Sequence, residues 1–256
     1  MARFGVLAIG NHGDSDLGFV GERLREHHAR IATVTREDLV GLRPPEAGTD
    51  LIVLLGSDWS VYDPAHRAAV AAEQTVVRRA HERGVPVLAI CYGAQLVAST
   101  LGLTVTRAPA PEVGWYTLET SAPEICPAGP WFQFHFDRWS DGRGVRSSAH
   151  TGAAPQAFRV GRTLAVQFHP EVTALMARQW MLACPRAVAA ASLTPDDVLA
   201  SFAVAGAHAR ARCHSFLDSF LDQVAGAEGS QGGRKPAVSP VGTFTTTRTS
   251  APAAAS

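Results

Sequence analysis

Cys91 has the sequence context of a reactive thiol. It follows an apolar run at residues 85–90 and precedes small residues that open an amphipathic helix. This pattern is typical of a sharp strand-to-helix turn, which leaves the sulfur at the strand tip, near the positive end of the helix dipole. Such a site favours the thiolate, and Gly93 leaves room for a strained turn. Considered alone, a cysteine after an apolar strand is more often a buried, inert core residue.

A base for this nucleophile lies in the segment Thr-Leu-Ala-Val-Gln-Phe-His-Pro-Glu-Val, residues 163–172, which reads as a strand running into His169. In an extended chain, residues two apart face the same side, so Glu171 can orient the imidazole of His169. Pro170 cannot donate to a sheet ladder, which places this pair at a strand end or edge. We therefore predict a relay of Cys91, His169 and Glu171. Without Cys91, the histidine and glutamate would be read as a structural pair.

Two motifs resemble those of a known enzyme family. Ala-Ile-Cys-Tyr-Gly-Ala-Gln at 89–95 and Gln-Phe-His-Pro-Glu-Val at 167–172 resemble the class I (triad) glutamine amidotransferases, most of all stand-alone members similar to the amidotransferase part of GMP synthase. Further segments match in the expected order, at 51–63, 111–115, 134–137 and 155–158. The resemblance implies a flavodoxin-like α/β fold and hydrolysis of the glutamine side-chain amide through a γ-glutamyl thioester on Cys91. It also implies no cofactor, and ammonia delivery to a separate synthetase or amination partner.

Two other functions stay open from the sequence. One is a free-standing hydrolase of γ-glutamyl amides or peptides, which needs no partner. The other is a non-catalytic regulatory protein on the same fold, against which the complete set of Cys91, His169 and Glu171 argues.

The resemblance also implies an oxyanion hole, in which Gly56, Ser57 and the backbone N–H of Tyr92 hold the tetrahedral intermediate. The family usually has Gly-Gly-Pro where this chain has Gly56, Ser57 and Asp58. If Ser57 adopted a left-handed conformation, the cost would be about 1–2 kcal/mol. The departure fits partner-dependent activation, a substrate other than free glutamine, or a tolerated variant.

Three more residues are candidates for substrate binding. Gln95 lies on the first turn of the helix that follows Cys91, and the resemblance implies that it binds substrate. It could equally well cap the helix or face solvent. In the segment 131–139, strand alternation places Gln133, His135 and Asp137 on one face. For His135 and Asp137, a structural polar network and a substrate contact are equally good interpretations.

Strand and helix patterns alternate along the chain and predict an α/β fold: a doubly wound, mostly parallel sheet with helices on both faces. The predicted site lies at the carboxyl ends of the parallel strands. We expect a catalytic domain at residues 1–182, a C-terminal helical extension packed on it at 183–225, and a disordered tail at 226–256. The predicted strands are 4–9, 31–34, 51–55 and 85–90; the predicted helices are 17–29, 65–82, 93–101, 173–182 and 195–225.

Composition argues against several classes of partner. The formal net charge of zero favours neither nucleic acid nor an anionic membrane, and no apolar run reaches the roughly 20 residues of a membrane span. The only lysine is Lys235, so no lysine is available for a phosphate loop within the predicted domain. The histidines and cysteines lack metal-site spacing, which predicts no metal. The widely spaced cysteines and the lack of a secretory signal predict a cytoplasmic protein.

Overall fold

The computed structural model describes residues 4–42 and 47–226. All but the first residue of the tail predicted at 226–256 lies outside the described residues. Within them the chain forms β1 (Gly5–Gly10), α1 (Gly18–Glu26), β2 (Arg30–Thr35), β3 (Leu51–Leu54), α2 (Arg67–Glu82), β4 (Val87–Ile90), α3 (Tyr92–Thr100), β5 (Val105–Tyr116), β6 (Glu119–Thr120), β7 (Trp131–Trp139), β8 (Ala149–His150), β9 (Pro155–Val160), β10 (Thr163–Val166), α4 (Ala174–Ala183), α5 (Pro185–Ala190), α6 (Pro195–Val204) and α7 (Ala209–Phe220).

The main sheet of the described chain has the strand order β2-β1-β3-β4-β10-β9-β8-β6. Five neighbouring strands of this sheet run parallel, in the order β2, β1, β3, β4 and β10. The strands β9, β8 and β6 continue the sheet in antiparallel pairs. Every residue of β1, β3, β4 and β10 is buried, as expected for parallel strands that are covered on both faces. The predicted doubly wound α/β architecture is confirmed.

Helices cover the two faces of the sheet because each presents an apolar stripe to it. On one face, α1 and α7 pack on the strands through Val20, Leu24, Phe216, Leu217 and Phe220. On the other face, α2 and α3 pack through Val70, Val76, Val77, Leu96 and Val97. The carboxyl ends of β3, β4 and β10 are left uncovered between these layers, and the site is built there.

A smaller antiparallel sheet of β5 and β7 lies beside the main sheet. The helices α4, α5 and α6 pack on it in a third apolar cluster that includes Val113, Phe132, Met176, Met181 and Val188. This unit carries β7 and the end of α4 to the edge of the site.

Two predicted elements differ from the structure. The helix expected at 195–225 is interrupted by a 3₁₀ turn at Ala205–His208, which separates α6 from α7. The break is needed because the two halves face different cores: Phe202 packs beside β5 and β7, whereas Phe216 packs on the main sheet. The strand expected to run into His169 ends three residues earlier, at Val166. The division into a catalytic domain and an extension stays a prediction.

Candidate active site

Cys91 occupies the turn between β4 and α3. Its φ of 52° and ψ of −109° lie outside the regions that L-residues usually adopt, and its N–H donates to the carbonyl of Val166 at 2.8 Å. The turn forms because α3 must start directly above β4: a Cβ on Gly93 would lie 2.5 Å from the backbone oxygen of Leu54. Cys91 therefore sits at the N-terminus of α3, beside the N–H groups of the first turn, which have no partner within the helix.

His169 and Glu171 form a buried pair beyond the end of β10. The Nδ1 of His169 lies 2.7 Å from Oε1 of Glu171, and both residues are at least 96% buried, with 4% and 1% exposure. The backbone N–H of His169 donates to the carbonyl of Phe132 at 2.8 Å, which ties this segment to β7. The two side chains thus face the same side, as their spacing predicts.

The imidazole of His169 is held in its charged form. Burial alone would lower its pKa, but the carboxylate of Glu171 and the sulfur of Cys91 together raise it to about 10. The Nε2 atom makes no hydrogen bond of normal geometry, although it is buried. Cys91 and His169 both line the same cavity.

The ring of His169 also has a neighbour on α4. The Trp180 ring lies 4.6 Å from it between centroids, and the indole N–H of Trp180 is 3.2 Å from Oδ1 of Asp14. Burial raises the pKa of Asp14. Asp14 and Trp180 line the same cavity, and the Trp180 ring restricts the orientations that the imidazole can adopt.

The loop after β3, residues 56–58, is the segment that was predicted to form the oxyanion hole, and it is hereafter called the oxyanion loop. A Cβ on Gly56 would lie 2.9 Å from Cε1 of His169 and 3.5 Å from Cβ of Cys91, so glycine is needed here for close approach rather than for a left-handed backbone. Ser57 is not among the described residues with positive φ, so the predicted strain does not arise. Its hydroxyl instead accepts the N–H of Trp59 at 3.1 Å.

The predicted substrate-binding residues all line the cavity, but each also has protein partners. Gln95 is 3% exposed and donates to the carbonyl of Asp137 and to Oε1 of Gln167, at 3.1 and 3.2 Å, so it neither caps α3 nor faces solvent. His135 lies 3.1 Å from Oε2 of Glu112. The polar network considered for His135 is therefore present.

Asp137 ties the segment after the oxyanion loop to β7. Its carboxylate accepts hydrogen bonds from the hydroxyls of Ser60 and Tyr62, at 2.6 and 2.9 Å. Sequence patterns do not indicate this contact, because the partners lie 75 residues or more apart along the chain.

The cavity has a volume of about 640 Å³. Its lining comes from the carboxyl ends of β1, β3 and β4, from β7 and from the end of α4, and it includes Cys91, Gln95, His169, Glu171, Gly56 and Ser57. Cys184 also lines it and is partly exposed. In contrast, burial raises the pKa of Cys126 to about 12 and that of Cys213 well above its usual range, which disfavours the thiolate at both positions.

One group of side chains in the described chain could approach a metal ion: Glu22, Glu26 and His214. None of them lines the cavity, and Arg210 already pairs with both carboxylates. None of the described helices combines the length and apolar character that crossing a bilayer requires.

Sequence reasoning did not identify Arg36, whose side chain is completely buried. Its guanidinium donates to the carbonyls of Leu55 and Gly56, at 2.9 and 3.0 Å, directly behind the oxyanion loop. No motif marks it, since a single arginine after a strand usually lies on the surface. Asn11 and Asp14 were also missed, although their position after a parallel strand was an available signal.

Comparison with known proteins supports the family and the fold. Residues 20–125 match the sequence profile of the family described as glutamine amidotransferase class-I. The GMP synthase [glutamine-hydrolyzing] of Aeropyrum pernix is 33% identical over 178 residues, which are 66% of this chain and 33% of that protein. The GMP synthase [glutamine-hydrolyzing] of Thermomicrobium roseum is 32% identical over 179 residues, which are 66% of this chain and 32% of that protein. The chain thus spans about a third of the length of these curated relatives.

Two solved structures have the same fold. A glutamine amidotransferase from Thermotoga maritima has a TM-score of 0.75 at 24% identity, covering 88% of this chain and 99% of that one. A glutamine amidotransferase from Methylobacillus flagellatus has a TM-score of 0.74 at 20% identity, covering 93% of this chain and 100% of that one. Residues 20–125 therefore match a glutamine amidotransferase class-I domain, and the chain has the fold of these two glutamine amidotransferases.

Proposed function

We propose that this chain hydrolyses the side-chain amide of glutamine through a γ-glutamyl thioester on Cys91 and supplies the ammonia to a separate partner. The observation that carries the proposal is the meeting of Cys91 with the buried pair of His169 and Glu171 in one cavity. A thiol, an imidazole and an orienting carboxylate are the groups that acyl transfer requires.

In the first step, the Cys91 thiolate attacks the side-chain carbonyl carbon of glutamine. His169 takes the proton of the thiol, because Glu171 and Cys91 raise the pKa of this imidazole to about 10. The carbonyl oxygen becomes an oxyanion, which the backbone N–H of Tyr92 and the oxyanion loop with Gly56 and Ser57 stabilise.

Collapse of the tetrahedral intermediate breaks the bond between carbon and nitrogen. His169 donates its Nε2 proton to the leaving nitrogen, ammonia departs, and the γ-glutamyl group stays on Cys91 as a thioester. The neutral imidazole then takes a proton from water, whose hydroxide attacks the thioester and releases glutamate. Glu171 keeps the proton of Nδ1 in place throughout, so that Nε2 is the atom that exchanges protons. Gln95, His135 and Asp137 are proposed to bind substrate as part of the cavity wall.

The partner is proposed from the relatives. The two relatives that match 66% of this chain are named GMP synthase [glutamine-hydrolyzing] and are about three times as long as the matched part. A synthetase or other amination enzyme, either a separate protein or a further domain, would use the ammonia.

A second candidate is a hydrolase of γ-glutamyl amides or peptides that acts without a partner. The cavity has room for such substrates, because about 640 Å³ is in the range that holds drug-sized ligands. The chemistry on Cys91 would be the same, and an amine rather than ammonia would leave.

The test is a comparison of substrates on the purified chain. Glutamate release is measured with glutamine and with a series of γ-glutamyl amides and peptides, and hydroxylamine is added to trap the thioester as a hydroxamate. Cys91→Ala serves as the inactive control. We expect glutamine turnover and trapping that disappear in Cys91→Ala, with turnover increased by an amination partner. Turnover of γ-glutamyl peptides alone would reject the amidotransferase proposal in favour of the second candidate, and no trapping with any substrate would reject both.

A further inference from the structure

Arg36 is a buried cation that the chemistry above does not use. It begins the 3₁₀ turn at Arg36–Leu39 that follows β2, and its side chain is 0% exposed. Arginine is almost never fully buried unless its donors are used, so the groups around it indicate what it does.

The guanidinium contacts both parts of the proposed oxyanion hole. One nitrogen donates to the carbonyl of Leu55 at 2.9 Å, and the other to the carbonyl of Gly56 at 3.0 Å. Its carbon also lies 4.6 Å from the centroid of the Tyr92 ring, a cation–π distance.

Two further residues hold the guanidinium in place. Glu73 of α2 is also 0% exposed, and its carboxylate lies 3.4 Å from Nε of Arg36. The side-chain oxygen of Asn11 accepts a hydrogen bond from the same nitrogen that reaches Gly56. The guanidinium of Arg36 is therefore contacted from three sides, by the loop carbonyls, by Asn11 and by Glu73. These contacts make it a rigid support for the loop.

The geometry of the peptide bond relates these contacts to the direction of the N–H groups in the oxyanion loop. In a trans peptide, the C=O of one residue and the N–H of the next point in opposite directions. Because Arg36 binds the carbonyls of Leu55 and Gly56, the N–H groups of Gly56 and Ser57 point away from it. Leu55, Gly56 and Ser57 line the cavity, whereas Arg36 does not.

We propose that Arg36 is a positioning residue that holds the backbone N–H groups of the oxyanion loop toward the cavity, so that the hole is formed in the chain without a partner. This rests on the proposed function. It explains how the loop works with serine where the family usually has a second glycine: the fixed carbonyls orient the peptides while Ser57 keeps an ordinary backbone conformation.

The test variant is Arg36→Lys, which keeps the positive charge beside Glu73 but loses the planar fork that reaches two carbonyls. Removing one oxyanion donor typically costs 10²–10³-fold in kcat, so a displaced loop should lower kcat by roughly 10- to 100-fold. KM should change little, because the contact matters in the transition state. The rates are divided by the concentration of active thiol, titrated with a glutamine-like electrophile, so that partial unfolding does not lower kcat.

Two controls separate positioning from general stability. Arg23→Lys changes a partly exposed arginine of α1 that pairs with Asp218, and its kcat should equal that of the unchanged chain. Glu73→Gln removes the buried partner but keeps both carbonyl contacts of Arg36. Because those two contacts remain, we expect kcat to fall less than in Arg36→Lys, even where thermal stability falls as much.

A measurement on the unchanged chain does not depend on how any variant folds. The γ-aldehyde analogue of glutamate adds to Cys91 and places an oxygen in the hole. In ¹⁵N NMR spectra, the amide resonances of Ser57 and Tyr92 should shift on adduct formation.

The outcomes are distinct. An unchanged kcat in Arg36→Lys, or no response of the Ser57 amide to the adduct, would overturn the role of Arg36 while glutamine hydrolysis stands. If Arg36→Lys does not fold, the paired variant Arg36→Met with Glu73→Met removes both buried charges together and is measured in the same way, beside the NMR experiment. Failure of the unchanged chain to hydrolyse glutamine would instead refute the proposed function.

Discussion

Gly56→Ala is the substitution whose effect follows most directly from the geometry of the site. A Cβ at this position would lie 2.9 Å from Cε1 of His169, whereas ordinary van der Waals contact begins at 3.4 Å. Gly56 is not among the described residues with positive φ, so alanine causes no backbone strain at this position. The effect of the substitution is therefore the displacement of the imidazole.

The size of the effect depends on whether the ring can move. The required shift is at least about 0.5 Å, the difference between 2.9 and 3.4 Å. The ring is held by Oε1 of Glu171 at 2.7 Å and flanked by Trp180 at 4.6 Å, so the shift disturbs a fixed pair rather than a free side chain. A displacement of 1 Å in an active site can cost 10²-fold in rate, and overpacking typically costs 1–3 kcal/mol of stability. We expect kcat to fall by about 10- to 100-fold, with a loss of about 1–3 kcal/mol in the free energy of unfolding.

The assay is glutamate release from glutamine per titrated thiol, with chemical denaturation measured in parallel. Gly152→Ala is the matched control, because a Cβ there would have no heavy atom within 4 Å and the backbone φ is not positive. The control should equal the unchanged chain in both measurements. A Gly56→Ala variant with kcat within about twofold of the unchanged chain would refute the reasoning, because it would show that the position of the His169 ring does not limit the rate.

Three further results are expected. Glu171→Gln should move the alkaline limb of the pH–kcat profile to lower pH. The carboxylate of Glu171 helps raise the pKa of His169 to about 10, so without it the imidazolium loses its proton at a lower pH. An alkaline limb at an unchanged pH would contradict this. Cys91→Ala should abolish labelling by a glutamine-mimicking electrophile, whereas Cys184→Ala, at the cavity wall, should retain it; mass spectrometry of the labelled peptide distinguishes the two. Gly93→Ala should lower the free energy of unfolding by about 1–3 kcal/mol, measured by thermal or chemical denaturation. The reason is that its Cβ would lie 2.5 Å from a backbone oxygen of β3, which cannot rotate away. An unchanged denaturation midpoint would mean that α3 can shift on the sheet.

The pair of His169 and Glu171 shows how far local patterns reach. Their spacing of two in an extended segment predicts that both side chains face one way, and they lie 2.7 Å apart. The end of the strand was predicted less well, because His169 pairs with Phe132 of β7 rather than with a strand of the main sheet. That pairing is a long-range contact, which no local pattern contains.

The helical region after residue 195 shows the opposite case. Apolar residues recur at helical spacing on both sides of Gly206, so periodicity alone predicts one continuous helix. Periodicity reports that a face is buried but not which surface buries it. Phe202 and Phe216 belong to different apolar clusters, and only the arrangement of the two sheets requires the break between them.

What the sequence by itself determined is the set of groups whose relations are local: the alternating strands and helices, the turn at Cys91, and the common direction of His169 and Glu171. Backbone propensity and residue spacing are sufficient for these, because each depends on a few neighbouring residues. Only the tertiary structure decided the rest. The burial of Arg36 behind Gly56 and the bond from Tyr62 to Asp137 join residues that lie 20 and 75 positions apart. Such contacts arise from the packing of whole elements, so the chain brings these residues together only when it has folded.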